Sequence, residues 1–406
     1  DFMFACSMYP GDEKFVQNVK QEVIDNVNRL QNHASIAIWC GNNENDEGWQ
    51  NWGWQKQFNY SKADSTQIWN DYKKVFHEMI PKTLDSLLPK EKNIYWSSSP
   101  SIGWGRKESL TQGDSHYWGV WWGKEPFEIY EKKVGRFMSE YGFQGMPNLE
   151  TLQKVMNKED LNFISEAFKN HQKHPIGFET INEYMERDYV VPKNFEDYAY
   201  VSQLLQARGM KTAIEAHRRA KSYCMGTLYW QFNDCWPVTS WSSLDYYGNW
   251  KSFHHQAKRS FENLLLSVNE ENEIYKVFLV NDNFESYSIR LELELLSCDG
   301  KSLWENSKEV TVKENTSINV YEIPKDEFEK FDLKSWVLKV HWEEVKINYF
   351  FAKPKDLKLQ KPNIEIKIIN DFMIEISSDV LAKDVFLSSE NEVFFEDNYF
   401  DLLPND

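Results

Sequence analysis

The sequence predicts an α/β fold, a (β/α)8 TIM barrel followed by an immunoglobulin-like β-sandwich. Up to about residue 265, short apolar runs alternate with amphipathic helical segments, as in parallel strands joined by crossover helices. Several of these runs end in acidic, amide or aromatic residues. This favours a barrel, because barrel enzymes carry functional groups at the carboxyl ends of their strands. After about residue 267, alternating apolar and polar residues separated by turn signals are typical of a β-sandwich.

The barrel region is predicted to contain six strands, at 2–6, 36–39, 93–97, 113–118, 136–140 and 225–232. Asp12 is predicted to cap a helix whose apolar residues recur at helical spacing up to Leu30, and further helices are predicted near 65–88, 126–133, 196–223 and 250–266. The segment 145–195, rich in polar and turn residues, is predicted to be irregular. A complete barrel needs eight strands, so we expect about two amino-terminal strands to be missing from this chain.

Strands of the sandwich are predicted at 273–280, 288–296, 309–312, 317–323, 336–342 and 346–351, and further strands at 363–385 and 393–395. Three domains follow from this pattern. Residues 1–266 are predicted to be the carboxy-terminal portion of the barrel, and 267–354 the sandwich. Residues 355–406 are predicted to begin a further sandwich that the chain does not complete.

Composition restricts the class of partner. The net charge of −17 argues against binding to nucleic acid or to an anionic membrane surface. No window approaches 18 consecutive apolar residues, so no transmembrane helix is expected, and the first residues lack the basic region of a signal peptide. Aromatic residues make up 16% of the chain, and 14 of its 17 tryptophans precede residue 251. A large aromatic core would explain this excess, but its uneven distribution favours stacking on sugar rings.

The five cysteines predict neither a disulfide framework nor a zinc site, because they are odd in number and include no C-x-x-C pair. Cys6, Cys40 and Cys224 lie in apolar, strand-like surroundings. We therefore expect these three to be small buried packing residues.

Two glutamates follow predicted buried strands. Glu44 ends Trp39-Cys-Gly-Asn-Asn-Glu, and Glu140 ends the predicted strand at 136–140 and is followed by Tyr-Gly-Phe-Gln. Two carboxylates at the ends of different strands can converge on one pocket, and glycoside hydrolysis requires such a pair. The alternative is structural, with Gly-Asn-Asn as a turn, Glu44 starting a helix and Glu140 in a solvated loop. Asp46 and Glu47 are expected to be solvated loop charges.

Two further clusters lie at predicted strand ends. One is Gly-Asp-Ser-His-Tyr-Trp-Gly-Val-Trp-Trp-Gly at 113–123, and the other is Thr-Leu-Tyr-Trp-Gln-Phe-Asn-Asp-Cys-Trp-Pro at 227–237. Four strand ends that carry acid, amide, imidazole and indole groups are difficult to explain by packing alone. Together they favour a catalytic pocket over the structural alternative.

These four motifs resemble those of β-mannosidases of glycoside hydrolase family 2. The resemblance implies that Glu44 is the acid/base and Glu140 the nucleophile of a retaining, exo-acting enzyme that removes terminal β-D-mannose from an oligosaccharide or glycoconjugate. It further implies that Asn43 contacts the mannose 2-hydroxyl and that Trp52 and Trp230 line the sugar site. His116 and Trp118 are expected nearby, and neither a metal nor an organic cofactor is expected.

Two other functions remain open at this stage. One is a different exo-glycosidase of family 2, such as a β-galactosidase, and the other is a non-catalytic carbohydrate-binding fragment. The retaining mechanism requires the carboxyl groups of Glu44 and Glu140 to lie about 5–5.5 Å apart. The sequence leaves the natural substrate, the oligomeric state and the compartment open; periplasmic, secreted and lysosome-like locations are all compatible with it.

Overall fold

The computed structural model describes residues 1–389 and 393–404, which form two compact units. The first unit contains residues 1–118 and 135–140, and the second contains 119–134 and the chain from residue 141 onward. Five residues of the predicted domain 355–406, at 390–392 and 405–406, lie outside the described residues. Within the described part of the chain, no helix has the length and apolarity needed to cross a membrane.

The first unit consists of five α-helices and four very short strands. The helices are α1 (Glu13–Leu30), α2 (Asn45–Asn51), α3 (Trp54–Gln57), α4 (Lys62–Tyr72) and α5 (Ile80–Leu87). A π-helical turn, Lys73–Met79, joins α4 to α5, and two 3₁₀ turns lie at Lys90–Lys92 and Lys107–Leu110. The strands are β1 (Trp39–Cys40), β2 (Tyr95–Trp96), β3 (Ser115–His116) and β4 (Met138–Glu140).

Helix α1 follows directly from its sequence. Asp12 accepts the Phe15 amide with its side chain, which satisfies one of the free N–H groups at the helix start. A row of valines (Val16, Val19, Val23 and Val27) is buried and packs in one cluster with Ile80 and Leu84 of α5. The predicted helix near 65–88 corresponds to α4, the π-helical turn and α5.

The strands of this unit are shorter than predicted, although they fall at the predicted places. β1 pairs with β2 in parallel, Trp39 opposite Tyr95, and β3 pairs with β4 in parallel. The predicted strand at 2–6 is not a strand: the Phe4 amide turns back to the Phe2 carbonyl, which interrupts the ladder, and an isolated bridge joins Ala5 to Asn43.

The second unit begins with a helical region. Its helices are α6 (Leu149–Gln153), α7 (Glu166–Asn170), α8 (Gly177–Asp188), α9 (Phe195–Arg219) and α10 (Ser252–Ser260), with 3₁₀ turns at Phe127–Glu131 and Lys158–Asp160. The segment 145–195, predicted to be irregular, therefore contains three α-helices. The predicted strand at 225–232 is wrong, because its amides bond singly to separate segments: Trp230 to the Tyr141 carbonyl and Gln231 to the Trp241 carbonyl.

A β-sandwich follows, made of two antiparallel sheets. One sheet has the order β5 (Leu264–Glu271), β6 (Ile274–Asn281), β9 (Thr316–Pro324). The other has the order β11 (Val345–Phe350), β10 (Trp336–Trp342), β7 (Tyr287–Ser297), β8 (Ser302–Val312). Buried side chains of both sheets form one core, and they include Val277, Leu279, Leu291, Leu293 and Val340. The sequence assigned residues 264–266 to a helix, whereas they begin β5.

The last strands form two separate two-stranded antiparallel sheets. β12 (Ile364–Asn370) pairs with β13 (Met373–Ser378), and β14 (Ala382–Val385) pairs with β15 (Phe400–Leu402). Residues 393–395, predicted as a strand, form none. β15 was not predicted. The 3₁₀ turn Pro354–Asp356 lies between the sandwich and these two sheets. Two further 3₁₀ turns, Lys325–Phe328 and Leu333–Ser335, lie between strands β9 and β10 of the sandwich.

Candidate active site

Glu44 stands at the turn between β1 and helix α2. The sequence places two asparagines and this glutamate directly after the strand, and the backbone of Glu44 adopts a left-handed conformation with φ 66°. Its amide donates to the Ser99 carbonyl at 2.8 Å, which ties the turn to the segment after β2. A non-glycine residue in this region is uncommon and is held there by its surroundings.

Asn42 provides much of that support. Its side chain is fully buried, and its amide donates to the Ser97 carbonyl at 2.9 Å. The side-chain oxygen of Asn42 accepts the Ser98 hydroxyl at 2.7 Å and the Asn45 amide at 3.2 Å. One buried amide therefore links the start of α2 to the segment after β2, and thereby fixes the backbone on both sides of Glu44.

Glu140 ends strand β4, directly opposite His116 of β3. The Tyr117 amide donates to the Glu140 carbonyl at 2.8 Å, and the indole N–H of Trp118 donates to its side-chain Oε1 at 3.0 Å. Glu140 is only 9% exposed. The parallel pair β3–β4 therefore brings His116 and Trp118 of the motif at 113–123 to the carboxylate at the end of β4.

His116 connects the two glutamates. Its Nδ1 lies 2.8 Å from Glu44 Oε1 and 3.7 Å from Glu140 Oε1. One ligand atom from each of the three side chains lies within 4.8 Å of the other two, so a Glu44 oxygen and a Glu140 oxygen are no farther apart than this. Such a separation is close to the range of about 5–5.5 Å used by retaining glycosidases and well below the range of about 6.5–9.5 Å used by inverting ones.

Burial and mutual charge set the protonation of this cluster. Burial raises the pKa of Glu140 to about 7; His116 and the Trp118 indole oppose the rise, and the charge of Glu44 adds to it. Burial alone would lower the pKa of His116, but its hydrogen bond to Glu44 and the nearby carboxylates of Glu140 and Asp114 raise it overall. The cluster therefore tends to retain protons near neutral pH.

A second layer of polar groups lies behind His116. Asp114 Oδ2 accepts the hydroxyls of Ser99 at 2.5 Å and Ser139 at 2.6 Å, and its Oδ1 accepts the Trp96 indole N–H at 3.0 Å. Ser99 Oγ also lies 3.0 Å from His116 Nε2. Sequence reasoning included Asp114 in its motif without giving it a role, and it missed Ser99 because an isolated serine carries no signal.

Cys6 differs from the sequence prediction. Cys40 and Cys224 are buried as expected, whereas Cys6 is exposed, with φ 43° and its thiol 3.4 Å from Glu44 Oε2. Its amide donates to the Asn43 carbonyl, so the isolated bridge between Ala5 and Asn43 places Cys6 beside Glu44. Although the residue as a whole is exposed, desolvation of its thiol beside Glu44, together with the charge of Glu44, raises the pKa of this thiol to about 12. The thiol therefore stays protonated and donates to Glu44.

The remaining predicted site residues fall into different surroundings. Asn43 directs its amide nitrogen toward the Cys6 sulfur, 3.8 Å away, beside Glu44. Trp52 closes helix α2, is 46% exposed and packs edge-on against Trp54 with ring centroids 5.8 Å apart. Trp230 belongs to the second unit, where it is 41% exposed and its amide donates to the Tyr141 carbonyl at 2.8 Å.

The acidic residues after Glu44 are not solvated as predicted. Glu47 is 5% exposed, is paired with Arg106 and accepts the Asn51 side-chain amide at 3.0 Å. Asp46 is partly buried, and burial raises its pKa. An arginine about sixty positions away along the chain compensates Glu47, which no local sequence pattern could indicate.

Asp234, the acidic residue of the motif at 227–237, has a structural role within the second unit. Asp234 is buried and accepts the hydroxyls of Ser240 at 2.7 Å and Ser242 at 2.5 Å, and it forms an ion pair with Lys173 at 3.1 Å. The charge of Asp234 is therefore satisfied inside the protein.

The donor set of Glu44, His116 and Glu140 is also of a kind that binds metal ions. However, the 2.8 Å between His116 Nδ1 and Glu44 Oε1 is a direct hydrogen-bond distance. A metal bound tetrahedrally to both atoms would separate them by about 3.3 Å. The contact between His116 and Glu44 is therefore that of a shared proton and not that of a shared tetrahedral metal ion.

Two family models match the carboxy-terminal third of the chain. A mannosidase Ig/CBM-like domain matches residues 273–356, and an Ig-fold domain matches residues 359–406. The protein is thus an α/β protein that carries immunoglobulin-like domains.

Curated relatives extend this likeness to the whole chain. β-Mannosidase of Rattus norvegicus is 32% identical over 73% of this chain and 35% of its own length, and that of Capra hircus is 31% identical over 95% and 47%. β-Mannosidase B of Thermothelomyces thermophilus is 29% identical over 100% and 52%. The chain spans about half the length, or less, of these relatives.

Solved structures show a likeness over nearly the whole chain as well. A β-D-mannosidase from Dictyoglomus thermophilum has a TM-score of 0.86 and 32% identity, covering 100% of this chain and 49% of its own. The exo-chitosanase of Amycolatopsis orientalis, with a TM-score of 0.68 and 14% identity over 97% of this chain and 50% of its own, shares the fold alone. Over its whole length, the chain resembles β-mannosidases of glycoside hydrolase family 2.

Proposed function

We propose that this chain carries the catalytic pair of an exo-acting, retaining β-mannosidase. The observation that carries the proposal is the approach of Glu44 and Glu140 to one buried imidazole, with carboxyl oxygens within 4.8 Å. Glycoside hydrolysis with retention needs two carboxyl groups at such a distance, one as nucleophile and one as acid and then base. The substrate is a β-mannoside oligosaccharide or glycoconjugate with a terminal mannose at its non-reducing end.

In the proposed mechanism, Glu140 attacks the anomeric carbon while Glu44 protonates the leaving oxygen. Glu44 then takes a proton from water, which hydrolyses the glycosyl-enzyme and frees Glu140. Two carboxylates this close resist simultaneous ionisation, so the pair enters the reaction with one proton, as the mechanism needs. The resemblance assigns the acid role to Glu44. The Trp118 indole supports Glu140 as the nucleophile, because its N–H stabilises the ionised form.

Asn43 is proposed to bind the mannose 2-hydroxyl, and Trp52 and Trp230 to provide aromatic faces for the sugar. Half-exposed indoles suit this role, because apolar sugar faces need accessible rings. Residues 1–266 are proposed to form part of a (β/α)8 barrel. In the first unit, two parallel strand pairs with Glu44 and Glu140 at strand ends support this architecture.

The test compares hydrolysis of 4-nitrophenyl β-D-mannoside with that of the β-D-galactoside by the protein that contains this chain. We expect cleavage of the mannoside. Glu140→Ala should lose at least about 10⁴-fold in kcat, since it removes the nucleophile. Azide should partly restore turnover and give the α-mannosyl azide, with inverted stereochemistry. A near-normal rate for Glu140→Ala would remove Glu140 from the mechanism, and preference for the galactoside would favour another family 2 activity.

A further inference from the structure

A chain of hydrogen bonds leads from Asp114, which is partly buried, to the carboxyl group of Glu44. Ser99 donates to Asp114 Oδ2 at 2.5 Å, and its oxygen lies 3.0 Å from His116 Nε2. The other ring nitrogen, Nδ1, lies 2.8 Å from Glu44 Oε1. Ser99 is 9% exposed and His116 only 2%, so these bonds are formed away from bulk water.

The direction of each bond follows from the hydrogens available. Asp114, as a carboxylate, can only accept, and it faces two hydroxyls and one indole N–H. Ser99 has one hydroxyl hydrogen, which points to Asp114, so toward His116 its oxygen can only accept. His116 must therefore carry a hydrogen on Nε2.

With a hydrogen on Nε2, the protonation state of His116 and that of Glu44 depend on each other through Nδ1. In a neutral ring Nδ1 is an acceptor, so a hydrogen bond at 2.8 Å requires a protonated Glu44 carboxyl. In a charged ring Nδ1–H donates to ionised Glu44. The combination of a neutral ring and an ionised Glu44 would set two acceptors against each other. In both favourable states, one proton lies between His116 and Glu44.

We propose that Ser99 and Asp114 are positioning residues that keep a proton on the Glu44–His116 pair by fixing the His116 tautomer. The consequence for catalysis rests on the proposed function, because the acid role of Glu44 comes from it. The tautomer itself is a property of the folded chain.

The groups around the ring act in the same direction. The carboxylates of Glu44, Glu140 and Asp114 all face His116 and favour its charged form. The Cys6 thiol lies on the far side of Glu44 and stays protonated. Proton retention at this site therefore has two sources, the negative surroundings and the hydrogen-bond direction set by Ser99.

The first experiment needs no substrate. In protein labelled with ¹⁵N-histidine, the ring nitrogens of His116 are identified by their loss in His116→Gln and followed from pH 5 to pH 9. We expect the neutral ring to carry its hydrogen on Nε2. In Ser99→Ala the Nε2 hydrogen loses its acceptor, and we expect the Nδ1–H tautomer to appear. An Nδ1–H neutral ring in the wild-type protein would overturn the proposal, even if no variant folds.

The second experiment is the pH profile of kcat/KM for an aryl β-mannoside. Ser99→Ala allows a neutral Nδ1–H ring to donate to ionised Glu44, and Asp114→Asn frees the Ser99 hydrogen to turn toward Nε2. In both variants the alkaline limb should move down by about one pH unit or more, as expected when a hydrogen bond to a charged group is redirected. Ser99→Thr keeps the hydroxyl and should restore the limb.

Ser139→Ala is the matched control. It removes a hydroxyl from the same Asp114 oxygen but leaves Ser99, His116 and Glu44 connected. An alkaline limb that stays in place in Ser99→Ala, or that moves equally in Ser139→Ala, would overturn the proposal. If the wild-type tautomer is as expected but no β-mannoside is hydrolysed, the proposed function fails and the tautomer assignment stands.

Discussion

At the scale of single residues, Glu44, His116 and Glu140 lie close enough together to share protons. The ring nitrogen Nδ1 lies within 3.7 Å of an oxygen of each glutamate, and both His116 and Glu140 are buried. Groups coupled this strongly lose protons in steps that belong to the cluster and not to one side chain. The pH dependence of both activity and stability should therefore report on all three residues together.

Glu44→Ala should separate substrates by the basicity of their leaving groups. An acid catalyst matters most when the departing oxygen is a strong base, and contributes little to an activated aryl oxide. We expect a loss of about 10²–10⁴-fold for mannobiose or a methyl mannoside, and a much smaller loss for 2,4-dinitrophenyl β-mannoside. Steady-state rates across a leaving-group series measure this. Equal losses throughout the series would contradict the acid role.

Glu140→Gln should stabilise the protein increasingly as the pH rises. Burial raises the pKa of Glu140 from 4.5 to about 7, so the folded state holds this proton more tightly than the unfolded state. The stability that this group contributes is complete at low pH and is lost as the pH rises from about 4.5 through 7. The pKa of His116 is also raised, so its contribution to stability is likewise lost as the pH rises.

The amide introduced by Glu140→Gln stays neutral at every pH and therefore does not lose the stability that wild type loses when Glu140 ionises. The gain in Tm of Glu140→Gln over wild type should thus grow by a few degrees between pH 5 and pH 8. Melting curves across this range measure the difference, and Glu108→Gln, an exposed site in the same unit, serves as the control. Parallel Tm curves for wild type and Glu140→Gln would show that ionisation of Glu140 costs no stability.

At the scale of elements, the candidate site depends on short parallel segments and on the buried amide that joins them. Asn42→Ala leaves the Ser97 carbonyl and the Asn45 amide without their partner, which should cost about 2–3 kcal/mol of unfolding free energy. It also releases the backbone that holds Glu44 in its left-handed conformation, so kcat should fall more than KM rises.

Urea denaturation and steady-state kinetics test this expectation. Asn28→Ala changes an exposed asparagine of α1 and serves as the control. It should alter the free energy of unfolding by no more than about 0.5 kcal/mol and should leave kcat unchanged. If Asn42→Ala were as stable and as active as Asn28→Ala, Asn42 would have no part in holding the turn.

The sequence indicated long elements better than short ones. Helix α1 and the sandwich strands β6, β7, β9 and β10 fall within a few residues of their predicted bounds, because each buries a regular apolar face over many residues. Helix α8 was missed although its buried residues recur at helical spacing, because Ile176 precedes it and no side chain caps its start. The strands before residue 141 have only two or three paired residues each, since turns and left-handed residues interrupt their ladders.

The residues of the candidate site also differ in how well the sequence indicated them. Glu44, Glu140 and His116 stand in motifs with a strong local signal, and the structure brings these three together. Ser99, Cys6 and the Glu47–Arg106 pair depend on segments that meet only after folding, so local patterns could not reveal them.

At the scale of the whole molecule, net charge should distinguish neutral from anionic substrates. With 63 acidic and 46 basic residues, the chain has a charge of −17, and three carboxylates lie around His116. A negative field of this kind repels anions over a Debye length of about 30 Å at 0.01 M salt, but over only about 8 Å at 0.15 M.

For a neutral aryl β-mannoside, kcat/KM should therefore change little between these salt concentrations. For the same mannoside with a sulfonated aglycone, it should rise several-fold with salt, as screening weakens the repulsion during approach. The two substrates are measured side by side at constant pH, so that any effect of salt on the fold appears in both. An equal response of the two substrates would show that the acidic surface has no influence on approach to the catalytic carboxylates.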